Sequence, residues 1–188
     1  MSILTDQKFF GGSNKDLTLA RKFNFCPILR KDFIVDEYQI IEAKSIGADC
    51  ILLIAAVLEP VKLKALAKFA HELGLEVLME VHNEAELDRS LNEHLDLVGI
   101  NNRNLKNFEL SLDISYSLVD KIPAQFVKIS ESGISQPDTL VELKSAGFDG
   151  FLIGGNFMKS SMPQQAAYNF INDLRKLQAG EDNKRTGK

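Results

Sequence analysis

The chain has 188 residues, with 22 Lys or Arg against 26 Asp or Glu and a formal charge of −4. That balance excludes a basic nucleic-acid module, because holding a phosphate backbone takes clustered cations, and 45% apolar residues with only five Pro exclude a disordered chain. The longest apolar run, Cys50 to Leu58, is far below the roughly 20 residues that cross a bilayer, and the N-terminus has no basic-then-apolar signal pattern. The sequence reads as soluble and cytoplasmic, with no membrane and no nucleic-acid partner.

In chain order, Ser2–Asp6 reads as the end of a strand, followed by a loop over Phe9–Ser13 and a helix over Lys15–Phe23. Short continuous apolar runs then recur at Pro27–Leu29, Asp49–Leu53, Leu75–Met79, Leu95–Ile100, Phe126–Ile129 and Phe148–Ile153. Strands buried on both faces have this form. Their starts are 20 to 31 residues apart, which leaves room for one crossover helix each. The clearest helix is Val61–Leu73, where Leu63, Leu66, Ala70 and Leu73 make one apolar stripe and Lys62, Lys64, Lys68 and Glu72 face away.

Boundary signals agree. Asp36 with Gln39, and Asn83 with Glu86, have capping-box spacing, and Pro60 suits a first helical position. Gly47, Gly74 and Gly147 stand where left-handed helix caps are needed. The pattern is a βα array with a parallel sheet. Residues 1–178 are expected to form a single domain, and residues 179–188 a mobile polar tail. Cys26 and Cys50 lie in apolar stretches without metal-ligand spacing and are expected to be buried, free thiols. His71, His82 and His94 also lack metal spacing and are read as surface residues, so no metal site is expected.

Two architectures fit such an array. An open sheet gathers ligands at one switch point, whereas a (β/α)8 barrel gathers side chains from the C-terminal ends of many strands. Here polar groups follow nearly every run: Lys31-Asp32, Glu80, Asn101-Asn102-Arg103, Glu131-Ser132-Gly133 and Gly154-Gly155. This favours the barrel. Taken singly, Lys31 reads as a solvated strand end, Glu80 as an ion-pair partner, the Asn run as a turn and the glycines as tight loops. Taken together, Lys31, Glu80 and Glu131 make an acid–base set, since a partly desolvated Lys is a competent general acid. Arg103 offers a planar fork to a carboxylate or polyhydroxy substrate. Ser132-Gly133 and Gly154-Gly155 form a phosphate cradle in the last two loops. These residues by themselves stop at a metal-free barrel enzyme acting on a small phosphorylated metabolite.

Longer blocks add a family. Leu4-Thr5-Asp6, Phe10-Gly11-Gly12-Ser13, Pro27-Ile28-Leu29-Arg30-Lys31-Asp32-Phe33, Glu80-Val81-His82, Gly99-Ile100-Asn101-Asn102-Arg103-Asn104-Leu105, Ser130-Glu131-Ser132-Gly133-Ile134 and Phe151-Leu152-Ile153-Gly154 resemble indole-3-glycerol-phosphate synthase. The similarity runs from about residue 2 to about residue 175. It implies cyclisation, decarboxylation and dehydration of 1-(2-carboxyphenylamino)-1-deoxyribulose 5-phosphate to indole-3-glycerol phosphate, in tryptophan biosynthesis, without metal or cofactor. The resemblance makes Lys31 the general acid, with Glu80 and Glu131 assisting ring closure and dehydration. Asn101 and Arg103 would bind substrate, Phe10 and Phe33 would wall the anthranilate ring, and Ser132, Gly133, Leu152, Gly154 and Gly155 would form the phosphate side.

The sequence departs from the family in two places. Gly155-Asn156 stands where Glu or Ser followed by Ser is usual, and the family's Glu-x-Lys-x-x-Ser-Pro-Ser strand motif does not occur in these 188 residues. The expected architecture is therefore a TIM barrel of the ribulose-phosphate-binding type, N-terminally truncated, with strand 1 absent and strand 2 partial. An open barrel leaves two unpaired edges, so self-association, or association with a chain supplying the strand, is expected, with little activity alone. The alternatives are an inactive or complementation-dependent fragment that binds phosphate without turnover, and the isomerase of the same pathway. The isomerase chemistry would not require Lys31 with Glu80 and Glu131.

Overall fold

The computed structural model describes residues 1–104 and 107–186, with side chains to 179. The mobility expected of residues 179–188 falls on positions whose side chains, from 180 onward, lie outside the described residues. The chain forms two compact units, Met1–Gly99 with Ile122–Val127 and Ile100–Lys121 with Lys128–Lys188.

In the first unit β1 (Ser2–Leu4), α1 (Asn14–Phe23), β2 (Leu29–Lys31), α2 (Glu37–Ile46), β3 (Cys50–Ile54), α3 (Pro60–Glu72), β4 (Glu76–Val81) and α4 (Glu84–Ser90) alternate. The strands β1 to β4 pair in parallel and in chain order. All five residues of β3 are buried, as a strand covered on both faces requires. Helix α3 buries Leu63, Leu66, Ala67 and Ala70 and exposes its lysines, which is the expected stripe. Asp36 accepts from the helix and Gln39 reaches back to close a capping box on α2. Gly47, Gly74 and Gly147 each take positive φ, so all three glycine stops are real.

β5 (Leu97–Asn101) begins in the first unit and ends in the second. The second unit continues through α5 (Asp113–Leu118), β6 (Val127–Glu131), α6 (Pro137–Ser145), β7 (Gly150–Leu152), α7 (Gly155–Met158) and α8 (Pro163–Thr186). β6 and β7 pair in parallel. Leu140, Leu143, Phe148 and Phe170 are buried here, and the Phe170 ring meets Phe157 edge-on at 5.5 Å. Among the described residues no helix is long and apolar enough to cross a membrane.

Several strands end later than their apolar runs. Lys31 closes β2, Glu80 lies within β4, and Asn101 and Glu131 close β5 and β6. Their backbones stay in register: Leu4 with Lys31, Ile54 with Glu80, Glu131 with Leu152. Hydrophobicity therefore marks where a strand is covered, whereas main-chain pairing marks where it stops. Lys31, Glu80, Asn101 and Glu131, expected at strand ends, are strand residues with fixed directions. Cys26 departs from expectation: it is exposed, because Phe25 and Pro27 carry the chain over the surface before β2, whereas Cys50 is buried in β3.

Candidate active site

The first unit assembles a row of charges. Lys31 Nζ lies 3.0 Å from Glu80 Oε2, with 18% and 4% of their side chains exposed. Both stand at strand ends, on β2 and β4, where parallel pairing fixes their heights. Glu80 Oε1 is in turn 3.3 Å from His82 Nε2, and His82 Nδ1 is 3.2 Å from Glu86 Oε2. The Nε2 contact is an ion pair rather than an aligned hydrogen bond. His82 is not a surface residue, contrary to expectation. Its side chain is 9% exposed, because the residue after β4 still follows the strand direction and faces the same side as Glu80. Burial works against its charge, but Glu80 and Glu86 outweigh burial and raise it to about 9. Glu86 is held below the usual carboxylate range by His82, against its own burial. His71 and His94 are partly exposed, and His71 Nε2 lies 2.8 Å from Asp96.

Helix α4 explains why Glu86 is available. Asn83 caps it, accepting from the Glu86 N–H at 2.9 Å, but Glu86 does not complete the expected capping box. Its carboxylate accepts from the His82 N–H at 2.8 Å instead. The spacing was legible; the direction of the second arm was not.

On the opposite face of β2 from Lys31 lies Arg30, only 3% exposed. Its guanidinium donates to Thr5 Oγ1 at 3.0 Å, Asp32 Oδ2 at 3.0 Å, Glu42 Oε2 at 2.6 Å and the Gln39 carbonyl at 2.8 Å. The Thr5 hydroxyl donates to Asp32 at 2.6 Å, joining the end of β1 to the end of β2. Gln39 Nε2 donates to the Phe33 carbonyl at 2.9 Å, and Asp32 accepts from the Phe33 N–H at 2.8 Å. This network pins the loop that follows Lys31. Its polar residue types were visible in the sequence, but their convergence was not.

Phe33 stacks on Phe10, with ring centroids 4.8 Å apart and planes 21° apart, while Phe9 meets Phe33 edge-on at 5.3 Å. The two expected aromatic walls are therefore in contact. Phe10 is placed by the turn after β1, where Gly12 packs so closely on Leu4 that a Cβ there would sit 2.0 Å from the Leu4 carbonyl oxygen.

In the second unit Asn101 and Glu131 are buried, 8% and 2% exposed, at the ends of their strands. Asn101 Oδ1 accepts from the Arg103 N–H at 3.0 Å, so Arg103 leaves the strand with its backbone fixed and its side chain half-buried. Asn102 is fully buried, and its amide is spent on Ser130 Oγ at 3.1 Å and on the Glu131 and Ser132 carbonyls at 3.0 and 3.2 Å. Its NH2 group shapes the Glu131-Ser132-Gly133 turn, while its Oδ1 is buried without a hydrogen-bond partner among the described residues. In that turn Ser132 has φ of 66° and Gly133 of 74°. A non-glycine residue in the left-handed region is uncommon, and Asn102 holds it there. The carbonyl of Leu152 faces the Ser132 N–H at 3.4 Å, joining this turn to the end of β7. Gly154 and Gly155 are exposed and open the short helix α7; a Cβ at either would meet nothing within 4 Å. Leu105 of the longest motif lies outside the described residues. Among the described residues no group of three His, Cys, Asp or Glu is placed to hold a metal ion.

Comparison with known proteins gives this arrangement a family. The profile of "indole-3-glycerol phosphate synthase" matches residues 1–170. Indole-3-glycerol phosphate synthases of Bacteroides thetaiotaomicron and of Polaromonas sp. are each 51% identical, over 93% and 87% of this chain and 67% and 62% of their own lengths. The chain thus spans about two thirds of the curated relatives it matches. Among solved structures, 3-hexulose-6-phosphate synthase from Salmonella typhimurium superposes with a TM-score of 0.74 at 16% identity, over 93% of this chain and 86% of that one. KGPDC from Streptococcus mutans gives a TM-score of 0.69 at 16% identity, over 93% and 85%. These likenesses establish the TIM-barrel fold, with which a truncated barrel is consistent. With half of its residues identical to synthases over most of its length, and its strand-end carboxylates, lysine and glycine turns in family order, the chain belongs to the indole-3-glycerol phosphate synthase family.

Proposed function

We propose that this chain carries out, or supplies most of the residues for, the conversion of 1-(2-carboxyphenylamino)-1-deoxyribulose 5-phosphate to indole-3-glycerol phosphate, carbon dioxide and water in the cytoplasm. The observation that carries the reading is the Lys31–Glu80 pair, 3.0 Å apart and largely withdrawn from water in a member of this family. A lysine in that setting can give a proton to the substrate carbonyl as the ring closes and take it back through the adjacent carboxylate.

In this reading Lys31 is the general acid, and Glu80 and Glu131 move protons during ring closure and dehydration. Decarboxylation between these steps restores aromaticity, and the hydroxyl leaves as water after protonation. Phe10 and Phe33 offer apolar ring faces suited to an anthranilate. Asn101 and Arg103 hold substrate polar groups. The phosphate end is held on the Ser132-Gly133 and Gly154-Gly155 loops, beside Leu152, through the Ser132 hydroxyl and the main-chain N–H groups of Gly133, Gly154 and Gly155, so Asn156 in place of the usual serine is tolerable. The activity belongs to relatives longer than this chain, so complementation by a further segment, on this polypeptide or another, is part of the proposal.

The test is formation of indole-3-glycerol phosphate followed by fluorescence, with the chain alone and with a segment supplying the rest of a relative's length. Lys31→Met is expected to lower turnover by about two orders of magnitude or more, the contribution of a positioned general acid. Unchanged turnover in that variant would remove Lys31 from the mechanism. Substrate binding without turnover under both conditions would favour the non-catalytic alternative.

A further inference from the structure

The reading above uses Lys31 and Glu80 and leaves His82 without a task, although the His82 side chain, 9% exposed, is more withdrawn from water than that of Lys31, 18% exposed. Four side chains alternate in sign along one line: Lys31, Glu80, His82 and Glu86. The contacts are 3.0 Å from Lys31 Nζ to Glu80 Oε2, 3.3 Å from Glu80 Oε1 to His82 Nε2, and 3.2 Å from His82 Nδ1 to Glu86 Oε2. The two oxygens of Glu80 are thus divided, one to the lysine and one to the imidazole.

We infer that His82 is a positioning residue, which grips one oxygen of Glu80 so that the other is presented to Lys31. A carboxylate on a flexible Glu side chain has several rotamers, and a positive charge set against each of its oxygens narrows rotation about its last bond. His82 is itself held from behind by Glu86, whose Oε2 also accepts the His82 N–H at 2.8 Å and whose Oε1 accepts from Asn83 Nδ2 at 2.8 Å. The grip is therefore anchored in the first turn of α4.

The charges require it as well. Glu80 and Glu86 are two carboxylates in one partly dry region, and the His82 ring lies between them, one nitrogen toward each. A protonated His82 makes the row neutral overall, and the strong upward shift of its proton affinity by Glu80 and Glu86 is in keeping with that charge. Burying an unbalanced carboxylate is the costly alternative.

This inference rests on Lys31 and Glu80 being the acid–base pair proposed above, and its test separates the two. In the full 188-residue chain, the His82 imidazole nitrogens are titrated by NMR in the wild type, in Glu80→Gln and in Glu86→Gln. The expected wild-type midpoint is near 9. Each substitution is expected to weaken proton binding by about tenfold or more, since each removes a carboxylate from one side of the ring. A wild-type midpoint near 6.5, or one that Glu80→Gln does not move, overturns the inference whether or not the chain turns over.

The second arm is kinetic, on whichever form of the synthase is active. His82→Ala is expected to lower kcat at least tenfold with KM within about twofold, and His82→Gln, whose neutral amide can donate to Glu80 without supplying the charge, is expected to recover part of the loss. Wild-type kcat in a folded His82→Ala overturns it; so does an equal loss in His82→Gln and His82→Ala when both fold, since that outcome removes the grip on Glu80. If Lys31→Met is silent while His82 titrates as expected, the proposed function has failed and the charge row stands as a structural unit.

Discussion

Replacing Arg30 by Met removes the centre of the network that joins β1, β2 and α2. Four partners lose a donor: Thr5, Asp32, Glu42 and the Gln39 carbonyl. They are not equally harmed. Glu42 is 30% exposed at its side chain and can be rehydrated, whereas Asp32 is only 8% exposed and cannot. Asp32 keeps the Thr5 hydroxyl and the Phe33 N–H but loses its only guanidinium among the described contacts. Breaking a buried ion pair by removing one partner costs roughly 3–5 kcal/mol, and the orphaned carbonyl adds about 1 kcal/mol.

Urea unfolding followed by circular dichroism is the assay. With slopes of about 1–3 kcal/mol/M, the midpoint is expected to fall by roughly 2 M. The diagnostic comparison is the double variant Arg30→Met with Asp32→Asn, which removes the stranded charge while keeping an oxygen that accepts from the Phe33 N–H and adding an amide NH2 that can donate to the Thr5 hydroxyl oxygen. It is expected to be more stable than Arg30→Met alone, although it carries one more substitution. A loss below about 1 kcal/mol in the single variant, or a double variant no better than the single, would refute the reading that an unpaired buried Asp32 dominates.

Other consequences are as concrete. His82 is raised to about 9 against 6.5 for an ordinary imidazole, so the folded state holds its proton more tightly. Its stabilising contribution, on the order of 3 kcal/mol at most, is fully present below about pH 6.5 and is lost as pH rises through about 9; a wild-type stability curve with no more fall over that range than His82→Gln would contradict this. Gly12→Ala puts a Cβ 2.0 Å from the Leu4 carbonyl oxygen, a backbone atom that cannot swing aside, and is expected to cost about 1–3 kcal/mol, whereas Gly154→Ala meets nothing within 4 Å and should change stability by less than about 0.5 kcal/mol. Thermal melts of the two variants check the contrast. Burial, reinforced by Glu76, Asp96 and Asp49, pushes the Cys50 thiol up to about 12, while Cys26 is exposed. An aromatic disulfide reagent at pH 8 should therefore titrate one thiol in the native chain and two after unfolding.

Much of this molecule was written in the order of its residues. Apolar runs, glycine stops, the Asp36–Gln39 capping box and Pro60 located the strands and helices, because those signals act within a few residues of the atoms they satisfy. The same locality marked the strand ends as chemically unusual, and Lys31, Glu80, Asn101 and Glu131 are buried or nearly so. The order of blocks from Leu4 to Gly154 carries the family resemblance without any tertiary contact.

What the sequence left undecided were partnerships across the chain. Nothing local distinguishes the amide of Asn102, spent on the 130–132 turn, from that of Asn101, nor Arg30, locked among Asp32, Glu42 and Thr5, from a solvated arginine. His82 read as a surface residue because a histidine followed by Asn and Glu has the composition of a loop. Only the register of β4, which carries the residue after the strand along the face of Glu80, and the placement of α4, which turns Glu86 back onto the ring, made it part of a buried row of charges. Burial and ion pairing depend on distances between segments that composition does not encode, so the tertiary structure had to decide them.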